Sequence, residues 1–158
     1  MDTTVINLFA GPGAGKTTLS AGVFYELKKR NAHAELVREW VKAWAWEGRK
    51  VGKFDQLHIL GQQALAETSL YGKVRYIVTD SPLWLSAFYE ENYQCTTALE
   101  DAIKNIIKLS PEVTRRNYFV PRRDLYSTHG RFETEGEAKT IDYLLSQFLH
   151  DKDIPHIH

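Results

Sequence analysis

Short apolar runs alternate along the chain with longer stretches in which apolar residues recur at helical spacing. Val5-Ile6-Asn7-Leu8-Phe9 reads as a buried strand, followed by a glycine-rich turn and a helix that begins near Lys16. In that helix Leu19, Val23 and Leu27 repeat on one side, and Lys28-Lys29-Arg30 close it near Asn31 with cations at the negative end of its dipole. Ala34-Glu35-Leu36-Val37 is a second strand, and Trp40, Trp44 and Trp46 follow on a helix. A loop over 47–53 leads to a helix over 54–71, with Leu57, Gly61, Ala64, Thr68 and Tyr71 as its packing stripe.

Arg75-Tyr76-Ile77-Val78-Thr79 is the third strand, followed by a short helix over 83–89 and a polar connection over 90–94. A helix over 97–109 turns Leu99, Ile103, Ile106 and Ile107 inward, and Asn117-Tyr118-Phe119-Val120 is a fourth strand. Thr134-Glu135-Gly136-Glu137 is a capping box. It opens a helix with Ala138, Ile141, Leu144, Leu145, Phe148 and Leu149 on one face, and Ile154-Pro155-His156-Ile157-His158 reads as a fifth strand. Strand and helix alternate throughout, without internal repeats. The pattern predicts a single α/β domain over 1–158, a parallel sheet with helices on both faces.

The chemistry concentrates where the first strand ends. Ala10-Gly11-Pro12-Gly13-Ala14-Gly15-Lys16-Thr17-Thr18 stands between a strand and a helix, the setting that turns a glycine pattern into a phosphate-binding loop. Gly11, Gly13 and Gly15 let the backbone curl with its N–H groups inward, and Ala14 and Thr18 complete the cradle. The helix beginning near Lys16 adds its positive dipole end. Lys16 reaches the β- and γ-phosphates of ATP, and the Thr17 hydroxyl ligates Mg²⁺. Ala10 occupies the place where this motif ordinarily has glycine, and a negative φ there keeps the variant workable.

Two acids stand at other strand ends. Asp80, with Ser81 and Pro82, follows the third strand and is placed to hold Mg²⁺ beside Thr17, while the same Asp-Ser-Pro run also suits a helix N-terminus. Glu39 follows the second strand, and ligands of open parallel sheets sit beyond these carboxyl ends. The nearby tryptophans serve either as core or as a wall on which a ring stacks. Gln56, His58, Gln62 and Gln63 are acceptor-facing or solvated.

The formal charge is zero, so nothing global points to nucleic acid or membrane. Locally, seven Lys and Arg against two acids span 104–131. Arg122, Arg123 and Arg131 form an arginine-bearing lid near 121–134 that caps a migrating phosphoryl group, whereas Arg115 and Arg116 precede the strand on the surface. The single Cys95 excludes an internal disulfide, reads as a small buried residue and fits a reducing compartment. His156 and His158 alternate on one face without an evident third metal ligand. With no leader and no membrane-length apolar run, the expectation is a cytoplasmic protein.

Phosphate loops serve switches, motors and kinases. Asp80 is followed by Ser81 and not by the glutamate of motor ATPases, and the base-reading Asn-Lys-x-Asp run of guanine-nucleotide switches is missing. A kinase brings an acceptor hydroxyl in line with the γ-phosphate and places a base beside it, which suits Glu39. A regulatory ATPase acting through a partner is the alternative from another class.

The loop over 10–18, Glu39, Asp80-Ser81-Pro82 and the arginine segment ahead of an Ile/Leu-rich helix resemble the small phage-type P-loop kinases. These are similar to the nicotinamide riboside kinase domain and to hydroxymethyl-uracil DNA kinases of phage base hypermodification. Glu39 with Trp40 or Trp44 behind it also resembles the deoxynucleoside kinases. The resemblance implies a five-stranded sheet of order 2-3-1-4-5, ATP and Mg²⁺ as cofactors, and catalytic roles for Lys16, Glu39, Asp80 and the lid arginines. The implied acceptor is a nucleoside-type hydroxyl: hydroxymethyl-uracil in phage DNA, or a free nucleoside, nucleotide or nicotinamide riboside. A DNA acceptor would be gripped by the basic segment from Arg115 to Arg131, in host cytoplasm if the chain is phage-encoded.

Overall fold

A computed structural model of the chain describes residues 1–52, 54–94, 96–122 and 133–158. Its centre is β1 (Thr3–Phe9), whose buried residues Val5, Leu8 and Phe9 leave it no solvent face. β2 (Ala34–Val37), β3 (Tyr76–Thr79) and β4 (Val113–Phe119) complete a parallel sheet in the order β2-β3-β1-β4. Val5 lies level with Ile77 on one side and Arg115 on the other, and Thr79 at the end of β3 pairs with Asn7, two residues before β1 ends level with β4 at Phe9 and Phe119.

Four strands form the sheet where five were expected. Ile157 occupies the fifth place as a single parallel bridge to Tyr118. Its backbone N–H donates to Asn117 O at 3.0 Å, and its carbonyl accepts from Phe119 N at 2.8 Å. Pro155 has no N–H with which to extend the ladder, and its carbonyl is taken by the Asn117 side chain at 2.9 Å.

Helix α1 (Lys16–Lys29) packs against β1, β2 and β3. It buries only Ser20 fully and leaves Leu19 exposed. α2 (Lys42–Trp46) is short. α3 (Asp55–Thr68), α4 (Trp84–Gln94), α5 (Ala98–Lys108) and α6 (Glu135–Asp151) build the main core with Phe9. Phe88, Ile103, Leu145 and Leu149 are sealed within it, each such burial being worth about 1.5–3 kcal/mol. The capping box of α6 forms as expected, with Thr134 and Glu137 exchanging hydrogen bonds. Leu144, however, stands outside the buried face.

Three expectations change. First, α3 turns Gln56, Ile59, Leu60, Gln63 and Glu67 inward, while Leu57 and Gly61 of the expected stripe are exposed. The polar members tolerate burial because they are bonded. Glu67 accepts from the Tyr71 hydroxyl, which accepts in turn from Arg115 Nη2 at 2.7 Å. Second, α4 runs on through the expected polar connection. Its Glu90 is buried and accepts from Leu99 N at 2.8 Å and from the Thr96 hydroxyl at 2.6 Å, tying α4 to α5. Third, β4 begins before Arg115, so Arg115 lies within the strand and packs on Glu67 at 3.8 Å, while Arg116 remains exposed.

Among the described residues, no helix is long and apolar enough to cross a membrane, and no group of His, Cys, Asp and Glu is arranged to hold a metal by itself. His156 and His158 pack on each other, ring centres 5.0 Å apart, and both tilt on Phe119. Cys95, Arg123 and Arg131, with most of the expected lid, lie outside the described residues.

Candidate active site

The loop after β1 gets its shape from two left-handed glycines, Gly13 at φ 76° and Gly15 at φ 98°, a region costly for residues bearing a Cβ. Ala10 avoids positive φ and is fully buried, so the substitution for glycine is accommodated. Lys16 Nζ donates to Ala10 O at 2.7 Å and Gly11 O at 3.0 Å, folding its side chain along the inside of the loop. Gly15 caps α1 without a side chain to bond the first-turn amides, which leaves the positive helix end to a ligand.

Beneath the loop, Gly11 N donates to Asp142 Oδ1 at 2.6 Å. A Cβ on Gly11 would come within 2.7 Å of that oxygen and 2.9 Å of Ala138 O, so glycine is required there by space. The other Asp142 oxygen accepts from Arg122 Nε at 2.6 Å, and Arg122 Nη2 donates to Ala138 O at 3.1 Å. This brace ties the loop and the end of β4 to α6. Asp142 carried no signal in sequence, being one of four acids on an amphipathic helix.

The carboxyl ends of β2 and β3 are locked side by side. Glu39 N donates to Asp80 Oδ1 at 3.1 Å. Gln63 bridges the same ends from α3: its Oε1 accepts from Trp40 N at 3.3 Å and its Nε2 donates to Thr79 Oγ1 at 3.4 Å. That hydroxyl also accepts from Ser81 N at 3.1 Å. Gln63 and Thr79 are fully buried, so the network works in a low-dielectric setting where each bond matters more.

A cavity of about 750 Å³ opens over these strand ends. Pro12, Gly13, Gly15, Lys16 and Thr17 form one wall, and Glu39, Asp80 and Ser81 the floor. The opposite wall comes from Lys42, Ala45, Lys50, Val51, Gly52 and Gln56. Leu85, Ser86, Tyr89 and Tyr93 of α4, with Glu133, close the side. Of the expected site residues, the cavity gathers Gly13, Gly15, Lys16, Thr17, Glu39 and Asp80. Gly11 and Ala14 are buried beneath the loop and Thr18 faces outward on α1. Arg122 is not on the wall; its guanidinium lies against Asp142 and α6.

Tyr89 and Tyr93 were not foreseen, because the stretch was divided between a short helix and a connection. Their rings stack 5.9 Å apart, and i,i+4 spacing on a longer helix was the available signal. Burial first, then the carboxylates of Glu133 and Glu39, push the Tyr89 phenol well above its ordinary value, so it stays a neutral donor at physiological pH. Burial and Glu133 raise Tyr93 as well. Thr17 and Asp80 present hard oxygen donors to one cavity, a set that fits Mg²⁺.

No family model matches the chain, and no curated protein matches it in sequence. Solved structures do match. Deoxyadenosine kinase from M. mycoides, with the products dCMP and dCDP bound, is 15% identical with a TM-score of 0.58, over 98% of this chain and 89% of the other. Thymidylate kinase from Candida albicans is 10% identical with a TM-score of 0.57, over 99% and 82%. The APS kinase of Mycobacterium tuberculosis is 11% identical with a TM-score of 0.52, over 92% and 98%. Phosphate loop, strand order and these likenesses converge: the chain has the α/β fold shared by P-loop kinases of nucleosides and nucleotides.

Proposed function

We propose that this protein is an ATP-dependent phosphotransferase, one domain over 1–158, that moves the γ-phosphoryl group to a hydroxyl of a nucleoside- or nucleotide-type acceptor. The observation that carries this reading is the lock between Glu39 N and Asp80 Oδ1. It holds an acceptor-side carboxylate and a metal-side carboxylate in the cavity that also contains Lys16 and Thr17. A device that only hydrolysed ATP has no use for a roomy second wall beyond Glu39. The fold neighbours are kinases of such acceptors, which supports the same class.

In this reading Lys16 exchanges its bonds to the Ala10 and Gly11 carbonyls for phosphate oxygens. The loop amides and the N-terminus of α1 hold the remaining phosphate charge. The Thr17 hydroxyl and the Asp80 carboxylate would hold Mg²⁺, which when bound neutralises charge shared between the β- and γ-phosphates. The Glu39 carboxylate accepts the acceptor's hydroxyl proton as its oxygen bonds to the γ-phosphorus and the bond to ADP breaks. Arg122 caps the transferring group once it trades Asp142 for phosphate oxygens, a role this reading gives also to Arg123 and Arg131 of the segment near 121–134.

Within this class the finer acceptor we propose is hydroxymethyl-uracil carried in DNA, supported by the motif resemblance to phage-type kinases. The test offers γ-labelled ATP and Mg²⁺ with nucleosides, nucleoside monophosphates, nicotinamide riboside, plain DNA and hydroxymethyl-uracil DNA, with Lys16→Ala as control. Label on one acceptor, lost in the control, is the expected result. Label released only as free phosphate overturns the transferase reading in favour of a regulatory ATPase.

A further inference from the structure

Among the described residues of the basic segment expected to grip an extended acceptor, Arg115 and Arg122 share no surface. Arg115 is committed to Tyr71 and Glu67, away from the cavity, and Arg122 to Asp142. Four aromatic side chains with exposed surface stand instead within, or next in sequence to, the segments that line the cavity. Trp46 is 67% exposed, Phe54 80%, Tyr93 63% and Trp40 36%. Tyr93 lines the cavity itself. Trp40 lies between the lining residues Glu39 and Val41, Trp46 follows Ala45, and Phe54 falls between Gly52 and Gln56. On α2, Trp46 and Lys42 are four residues apart and share a helix face.

This rim is built to keep its shape. Trp44 is buried, with the Arg49 guanidinium 3.5 Å from its ring centre and the His58 ring lying parallel to it at 6.3 Å. Trp40 meets both Trp44 and His58 edge-on, at 5.3 and 4.8 Å. Arg49 is pinned further by Asp55 at 3.2 Å, whose other oxygen accepts from Gly52 N at 2.6 Å. Arg49, Gly52 and Asp55 are therefore tied to one another and to Trp44, and Lys42 of α2 and Lys50 of the segment after it line the cavity.

Cations that meet phosphates, interleaved with rings on which bases stack, are the chemistry of a single-stranded nucleic-acid track. We propose that the rim carrying Trp40, Lys42, Trp46, Lys50, Phe54 and Tyr93 binds a single strand. The acceptor nucleotide enters toward Glu39 while its neighbours stack on the exposed rings. The inference rests on the kinase reading and sharpens it: the acceptor belongs to a polymer with backbone phosphates.

The test is binding, read without ATP. A fluorescein-labelled oligothymidylate of about 12 nucleotides is titrated by anisotropy over a range of salt. Wild type is expected to bind with salt-sensitive affinity. Trp46→Ala should weaken binding roughly five- to a hundredfold, and Trp46→Phe should retain most of it. Lys42→Ala and Lys50→Ala should each lower the salt slope by about 0.7. All these side chains except Lys42 are exposed, and thermal unfolding checks that each variant is folded. Absence of binding, equal binding by wild type and Trp46→Ala, or sedimentation showing that Trp46 instead drives self-association overturns the proposal. Transfer to a free nucleotide by a protein that ignores the strand overturns this surface alone. A strand held through Trp46, with no transfer to any acceptor, overturns the kinase reading and leaves the surface standing.

Discussion

The backbone N–H of Glu39 and the carboxylate of Asp80 meet at 3.1 Å although 41 residues separate them in sequence. In the proposed site Asp80 has two separable duties, the hydrogen bond that fixes where Glu39 stands and a charge offered, with the Thr17 hydroxyl, to the metal. Asp80→Asn keeps an acceptor oxygen for Glu39 N and removes the charge. It should fold with nearly wild-type stability, while transfer falls on the order of 10²-fold. Asp80→Ala should additionally lose about 1 kcal/mol, because the part-buried Glu39 N–H loses its bond to Asp80. Chemical denaturation and transfer rates measured on both variants separate the duties.

Gln63 acts through its neighbours and never lines the cavity. Gln63→Leu would strip Trp40 N of this partner and leave Thr79 Oγ1 only its bond from Ser81 N. The expected outcome is about 1–3 kcal/mol of lost stability and a lower kcat, with ATP affinity unchanged. Gln63→Glu retains an acceptor for Trp40 N and should recover part of kcat. Equal kcat in all three proteins would contradict a positioning role.

Much of this site was legible from local chemistry. The phosphate loop, Glu39 and Asp80 are each marked by their place at the carboxyl end of an apolar strand, and the α6 capping box by a four-residue pattern. The buried face of α3 was not legible, because hydrophobic periodicity cannot anticipate that Gln63 serves two strand ends or that Glu67 meets Tyr71 and Arg115. Glu90 misled for the same reason: a buried acid that ties two helices looks like a loop residue. The Arg122–Asp142–Gly11 brace joins residues 131 positions apart and leaves no local trace.

That brace makes Gly11 a sensitive position. Gly11→Ala drives a Cβ against backbone Ala138 O as well as the Asp142 side chain. It should cost about 1–3 kcal/mol and raise the KM for ATP. Asp142→Ala removes the side-chain clash but also the partner of Gly11 N and Arg122 Nε, so the coupling is read from a double-mutant cycle: on the Asp142→Ala background the cost of Gly11→Ala should be recovered only in part, because the backbone clash remains. Full recovery in thermal unfolding would show that the carbonyl yields.

Burial raises the Glu67 carboxyl above its ordinary 4.5, with Tyr71 and Arg115 opposing it in part. The folded protein therefore holds this proton more tightly than the unfolded chain does. The stability contributed by Glu67 falls as pH rises from its ordinary value through the folded one. Glu67→Gln stays neutral and escapes that decline. The Tm of the variant minus that of wild type should accordingly rise as the pH is raised from the carboxyl's ordinary 4.5. A difference that stays flat or falls would contradict the assignment.

The central claim is that Glu39 activates an acceptor hydroxyl beside a phosphate loop. The most direct measurement is single-turnover transfer from γ-labelled ATP to the acceptor by wild type and Glu39→Gln, with ATP affinity measured on both. The account predicts equal ATP binding and transfer slowed about 10²- to 10⁴-fold in the variant. Equal rates of acceptor labelling in the two proteins would contradict it.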